Sequence, residues 1–245
     1  VIADINRLGG AFSVRVEPFR QEDFVASRLC DPTLPDAATM VGAHAAVRGL
    51  EPNRFAGSLV FQRYCHRVCG AAVAALVLHD SVLDVSMPNC AMRFREGSPD
   101  TLILKNLDVR PVADPKAVVD MTVGQHLEPL AQVISKVSGP GMPNLWGNMA
   151  AGFAGAFRKL SLQAHNSAEL ARVRALAEQV AAAHPKLERG GSYRLVTLGE
   201  KTQLQFERTS CCHWYAAKDG KYCSWCSKIS PQERQQRFLQ LLQDQ

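Results

Sequence analysis

No stretch of this chain is apolar for long enough to cross a bilayer. The longest uninterrupted run, Ala71 to Leu78, falls far short of the roughly 20 residues a membrane helix needs. Charge of one sign is never concentrated either. The formal excess of +5 is spread over scattered lysines and arginines, which argues against a nucleic-acid partner and leaves room only for a small basic patch facing an anionic ligand or an acidic protein. A dinucleotide fingerprint is missing: the nearest approach, "GPGMPN" at Gly139 to Asn144, lacks the last glycine and follows a helical stretch, and there is no P-loop. Eight cysteines are too few, and too unevenly placed, for a disulfide scaffold. Internal repeats and low-complexity tracts are absent. The opening "VIADINRLGG" shows no charged-then-apolar leader, and the expected location is the cytoplasm.

What is present reads as an ordinary globular chain, 47% hydrophobic and 21% charged over 245 residues, enough for a sizeable core. Residues 14–36 predict irregular structure with one short helix. The run from Asp36 predicts a helix capped by that residue, and "RFAGSLVFQRYCHRVCGAAVAALVLHD" predicts a long buried one. Residues 82–110 alternate between turn signals and predict a small antiparallel sheet. Three further helices are predicted. One ends at Gly139, one is the Gly/Ala-rich "NLWGNMAAGFAGAFRKL", and one is capped by Ser167 and stops before Pro185. "SYRLVTLGEKTQLQFER" predicts a hairpin with Gly-Glu-Lys at its turn. The closing "SPQERQQRFLQLLQ" combines a Ser230 cap, Pro231 at the first helical position and Glu233 for a capping box. The predicted class is α+β, mainly helical with small antiparallel sheets. Residues 1–208 would form the main domain, with 209–245 a cysteine-bearing segment packed on it.

Four cysteines crowd into that segment, "CCHWYAAKDGKYCSWC": Cys211 and Cys212 are adjacent, ten residues intervene, and Cys223 and Cys226 follow as Cys-x-x-Cys. The second pair alone would suit zinc, an iron–sulfur cluster or a redox disulfide. The adjacent pair discriminates. Zinc knuckles bend Cys-x2–4-Cys around one ion, which neighbouring cysteines cannot do without distortion, and a disulfide between neighbours is strained. A two-iron centre spreads its ligand positions and favours a four-cysteine 2Fe–2S site. The Asp-Gly between the pairs signals a tight turn that folds Cys223 back towards Cys211.

This Cys-Cys-x10-Cys-x2-Cys ending resembles the FhuF-type ferric-siderophore reductases, and "NLWGN" at Asn144 to Asn148 is similar to a tract of that family. The resemblance implies that Cys211, Cys212, Cys223 and Cys226 ligate a 2Fe–2S cluster. It also implies reduction of iron(III) in an imported ferric siderophore, with a ferredoxin or similar protein as electron donor. The chemistry is consistent, because iron(III) to iron(II) and a 2Fe–2S centre both exchange one electron, and ferrous iron leaves hard oxygen ligands more readily. An electron carrier or redox sensor with the same cluster, and a zinc-stabilised binding module, are the alternatives. His213, Lys218 and Lys221 would form a positive rim for an anionic complex, and Trp146 and Asn148 would line a substrate pocket. Cys65, His66 and Cys69 in "YCHRVCG" read as core residues on an apolar helix rather than as a second metal site.

Overall fold

The computed structural model describes residues 1–244, so Gln245, last residue of the expected C-terminal segment, lies outside the described residues. The chain opens with α1 (Ile2–Arg7), β1 (Val14–Val16), β2 (Phe24–Val25) and α2 (Ala26–Leu29). Two helices follow, α3 (Asp36–Arg48) and α4 (Arg54–His79), then β3 (Ser81–Leu83), β4 (Cys90–Arg95), β5 (Ser98–Leu104) and β6 (Val109–Pro111). Next, α5 (Lys116–Val119) runs through a π-helical segment, Asp120–Leu127, into α6 (Glu128–Ser138). Helices α7 (Met142–Ser161), α8 (Ser167–Ala182) and α9 (Pro185–Glu188) precede the hairpin β7 (Gly191–Leu198) and β8 (Lys201–Arg208), and α10 (Pro231–Gln243) closes the fold. The class is α+β, mainly helical.

The core is built on α4 and α7. Both are rich in Gly and Ala, and this lets their axes approach closely: a Cβ at Gly152 of α7 would stand 3.1 Å from the backbone of Cys65 on α4. Cys65 and Cys69 are fully buried, and burial pushes both thiols well above their ordinary range. They pack as small hydrophobes, as the apolar pattern of the helix predicts. Beside them Tyr64 and His126 form a buried pair. His126 Nδ1–H donates to the Val85 carbonyl (2.6 Å), which leaves Nε2 to accept from the Tyr64 hydroxyl (2.8 Å). This pins the π-helical segment to α4.

Several local expectations need correction. Residues 14–36 are not simply irregular, because β1 joins β5 in parallel, Val14 opposite Leu102, and completes a sheet ordered β1-β5-β4-β2. The alternation in 82–110 shows the antiparallel β4–β5 pairing but cannot reveal a strand arriving from 88 residues upstream. Asp36 is the first residue of α3 rather than its cap, and its carboxylate takes the Arg28 guanidinium instead (2.7 Å). The cap of α8 is Asn166, whose Oδ1 accepts from the Glu169 amide at 2.9 Å, one residue before the expected Ser167. Ser230 does cap α10, accepting from the Glu233 amide at 3.1 Å. Glu233 does not close a capping box, since its carboxylate pairs with Arg237 (2.7 Å).

Candidate functional site

The hairpin delivers the cysteines. Its loop is Gly199-Glu200, and Gly199 supplies the positive φ (+60°) that so short a connection requires. Strand β8 packs on α7 and ends at Arg208, three residues before Cys211. The loop can run against α7 because Gly147 has no side chain: a Cβ there would overlap the Ser210 hydroxyl. Beyond the adjacent cysteines, His213 turns the chain with φ +67°, and a turn closed by Gly220 N–H to the Ala217 carbonyl (2.8 Å) reverses it. The Lys218 amide donates to the Arg48 carbonyl (2.9 Å), which fastens the loop to the end of α3.

Cys212 and Cys226 are almost fully buried, while Cys211 and Cys223 are half-buried. The Asp-Gly turn brings Cys223 back towards Cys212, and the two line the wall of one cavity. Cys211 lies within the electrostatic reach of Cys212 and Cys226, so the four thiols share one neighbourhood. Two of them receive a backbone N–H from two residues onward: His213 donates to Cys211 Sγ and Lys228 to Cys226 Sγ, both at 3.4 Å. Such donors favour sulfur in its charged form. The neighbouring Cys223 thiol, with help from Arg208 and against burial, draws Cys212 down to about 6, while Cys223 is pushed up. Among the described residues no group of three or more His, Cys, Asp or Glu side chains is placed to hold a metal ion.

Arg208 is the other half of the site. It is only 2% exposed, yet among the described residues its guanidinium meets no carboxylate: Nη2 donates to Asn148 Oδ1 (2.9 Å) and reaches Ser210 Oγ at 3.4 Å, and Nε has no partner. A buried cation without a counter-charge is costly. The thiols lie within its reach, and its charge favours the ionised form of Cys211, Cys212 and Cys223. Four cysteine sulfurs of one loop, two of them with a backbone N–H, beside an uncompensated arginine fit an anionic iron–sulfur group in donor chemistry and in charge.

A polar network holds this arrangement to the core. Asn148 Nδ2 donates to the Ser58 carbonyl and hydroxyl, both at 3.0 Å. The Ser58 hydroxyl donates to Asn144 Oδ1 (2.7 Å), with the Cys212 carbonyl at 3.2 Å as a second acceptor. Asn144 Nδ2 in turn donates to the Cys211 carbonyl. Asn144 and Asn148 stand one turn apart on α7 and so share a face. That face carries the carbonyls of the adjacent cysteines and the guanidinium that offsets their charge.

Directly against Cys212 and Cys223 opens a cavity of about 370 Å³. Its wall includes Arg48 of α3, Gln62, Arg63 and His66 of α4, Arg158 of α7, Arg208, Trp214 and Trp225, and no Asp or Glu lines it. Burial, with the charges of Arg208, Arg67 and Arg63, lowers His66 to about 4 and keeps it neutral. His44 is lowered to about 4 by burial, with Arg48 and Arg63 adding to the effect.

The sequence itself matches the family described as "Ferric iron reductase FhuF-like transporter" over residues 58–203. The chain belongs to the FhuF-like ferric iron reductase family. The match runs from Ser58 at the network to Gln203 in β8 and stops eight residues before Cys211. A comparison with curated proteins found no match. Among solved structures, the chain is similar to the aerobactin synthetase IucC from a hypervirulent pathotype of Klebsiella pneumoniae. The TM-score is 0.48 at 11% identity, covering 76% of this chain and 36% of the synthetase, so the chain spans about a third of that protein's length.

In this FhuF-like chain the expected substrate residues scatter. Lys218 and Lys221 are exposed on the loop, Lys221 with its ammonium 5.8 Å from the Trp214 ring centroid. His213 sits edge-on to Phe55, 5.2 Å between centroids, and burial lowers it below the usual histidine range, helped by Arg54, Lys228 and Arg208. Asn148 is fully buried and reaches the site through Arg208. Trp146 points elsewhere: it stacks on His184 (4.5 Å, 13°) and lines a separate cavity of about 690 Å³ with Lys186 and Arg189. Sequence reasoning missed Arg208, Asn144, Ser58 and the arginines of the cavity. One signal was legible. Gln62, Arg63 and His66 interrupt an otherwise apolar helix at spacings that share one face.

Proposed function

We propose that this protein reduces iron(III) in ferric-siderophore complexes by one electron, through a 2Fe–2S centre held by Cys211, Cys212, Cys223 and Cys226, and so releases iron(II). The observation that carries the reading is the set of four clustered cysteines, two with a backbone N–H on sulfur, beside a buried arginine whose charge no carboxylate among the described residues offsets. Family membership supports the ferric-reductase part. When bound, the cluster supplies a single reducing equivalent, which matches the one electron that ferric iron needs.

The chain's own residues do the rest. Arg208 and the His213 and Lys228 amides stabilise negative charge on sulfur, and this bears on how readily the site accepts an electron. Ser58, Asn144 and Asn148 fix the adjacent cysteines against α4 and α7, so little reorganisation is needed when charge changes. Trp214 and Trp225 wall the sulfurs from bulk water while leaving Cys212 and Cys223 on the cavity surface. A siderophore seated there meets the sulfurs directly and needs no protein ligand to its iron. A ferredoxin-like protein is the proposed donor, since the chain carries no nucleotide fingerprint.

The test is optical and kinetic. Protein purified without oxygen should be reddish-brown, contain iron and acid-labile sulfide, and lose visible absorption with dithionite. The reduced protein should then be reoxidised by a ferric siderophore with one electron per iron. A colourless protein containing zinc would refute the reading.

A further inference from the structure

The charges around the cavity do not balance, and the imbalance points to the substrate. Four arginines face a space of about 370 Å³ whose wall, among the described residues, carries no carboxylate. None of the four makes an ion pair with a carboxylate among the described residues. Asp100, the nearest acid in effect on Arg63, pairs with Arg67 at 3.9 Å, while Arg63 Nε is held by the Pro99 carbonyl (3.0 Å). Arg158 lies over the Trp225 ring at 5.9 Å. An oxidised four-thiolate two-iron centre carries about two negative charges, so it offsets Arg208 and one more cation. About two of the four positive charges are left over, shared among the part-buried Arg48, Arg63 and Arg158, which converge from three different helices.

We propose that this cavity receives the negatively charged face of an anionic ferric siderophore, one carrying free carboxylate or catecholate oxygens, and that Arg48, Arg63 and Arg158 select it over neutral and cationic complexes. The proposal rests on the reductase reading given above and adds the class of substrate. The cavity lies at the small end of ligand sites, so one face of the complex enters while the rest stays in solvent. Guanidinium forks are suited to paired oxygens.

The same charges bias the chemistry in a useful direction. One electron passes from the reduced protein, recharged by a one-electron protein donor, to iron(III), which becomes iron(II). No bond to the protein forms or breaks. The complex gains one negative charge, so the arginines hold it more tightly after reduction than before. By linkage they favour reduction of the bound iron.

The test reads binding without turnover. Gallium(III) has the charge of iron(III) and nearly its size but is not reduced, so affinities of its complexes report on the cavity alone. Three probes separate the possibilities: a neutral tripodal gallium trihydroxamate, the same scaffold bearing three carboxylates, and a tripodal gallium tris-catecholate. Binding to the cluster-loaded protein is measured by calorimetry and by quenching of Trp214 and Trp225. One or both anionic probes should bind at least about tenfold more tightly than the neutral one at low salt, and added salt should narrow the gap. Which anionic probe wins identifies the oxygen source. Arg63→Gln and Arg158→Gln should each weaken the anionic probe about tenfold, the loss of one charge-assisted hydrogen bond, while leaving neutral binding and the far-UV spectrum unchanged. Lys186→Gln, in the separate cavity, should change nothing. Equal affinity for neutral and anionic probes, or Gln variants that weaken all probes alike or none, would overturn the proposal. The reductase reading fails by a different result: protein that lacks a dithionite-bleachable chromophore and reduces no ferric chelate of any charge, whether or not it binds gallium complexes.

Discussion

Asn148→Ala strikes the point where α7, α4 and the cysteine loop meet. The amide is fully buried and makes three hydrogen bonds: two donated to Ser58 at 3.0 Å, and one accepted from Arg208 at 2.9 Å. Two neutral bonds contribute about 1 kcal/mol each, and the bond from a guanidinium about 1.5 kcal/mol or more. Alanine cannot replace any of them, and Arg208 is left with only the long contact to Ser210. The expected loss of stability is therefore about 3–4 kcal/mol, large for a single side chain in a chain of this size. It should appear as a lower denaturant midpoint with an unchanged slope. Loss of visible absorption in the presence of an iron chelator should also be faster, because Arg208 loses its anchor and so does Ser58, whose hydroxyl holds the Cys212 carbonyl. Asn148→Asp separates the two halves of the network: it keeps an acceptor for Arg208 but gives up both bonds to Ser58, so it should fall between parent and alanine variant. An alanine variant within about 0.5 kcal/mol of the parent, with unaltered chromophore lifetime, would show that the network holds nothing.

Other outcomes follow from the same structure. Serine at Cys211, Cys212, Cys223 or Cys226 should abolish or strongly shift the visible spectrum, whereas Cys65→Ser, deep between α4 and α7, should leave it intact; the reverse pattern would refute the ligand assignment. Gly152→Val puts a side chain 3.1 Å or less from the backbone of Cys65 and should cost about 1–3 kcal/mol, read as a lowered Tm. His126 is held at about 4 by burial, against 6.5 when unfolded. The unfolded chain then binds the extra proton first as pH falls, so stability is full above pH 6.5 and declines towards pH 4. The loss is about 3 kcal/mol for this histidine, and His126→Gln should flatten that part of the urea-unfolding pH profile. NADPH alone should leave the chromophore oxidised, because a hydride carries two electrons and no residue pattern here binds the nucleotide. NADPH with a flavin reductase and a ferredoxin should bleach it, and the rate should fall with salt.

Much of this protein is written in short-range signals. The Ser230 cap, the Gly199 loop, the Gly139 helix end and the apolar length of α4 each depend on residues within a few positions of one another, and each element lies where those signals place it. The cysteine spacing also belongs to this class, and so does the tract "NLWGN", whose two asparagines are set one helical turn apart. Which way that turn faces is a different kind of fact. Asn144 and Asn148 look towards the cysteine loop and Trp146 away from it only because α7 packs on α4 with Gly152 at the crossing. The parallel partner of β5 comes from residues 14–16, too distant for any local pattern to announce. Arg208 reads in the sequence as one more charge at a strand end, and becomes unusual only when folding buries it without a carboxylate. The arginine-lined cavity is the extreme case. Arg48, Arg63, Arg158 and Arg208 are separated by as many as 160 residues and carry no common motif. Local order is set by backbone geometry and caps, which neighbours along the chain decide. Charge balance is a property of a volume, and only tertiary packing determines which residues share one.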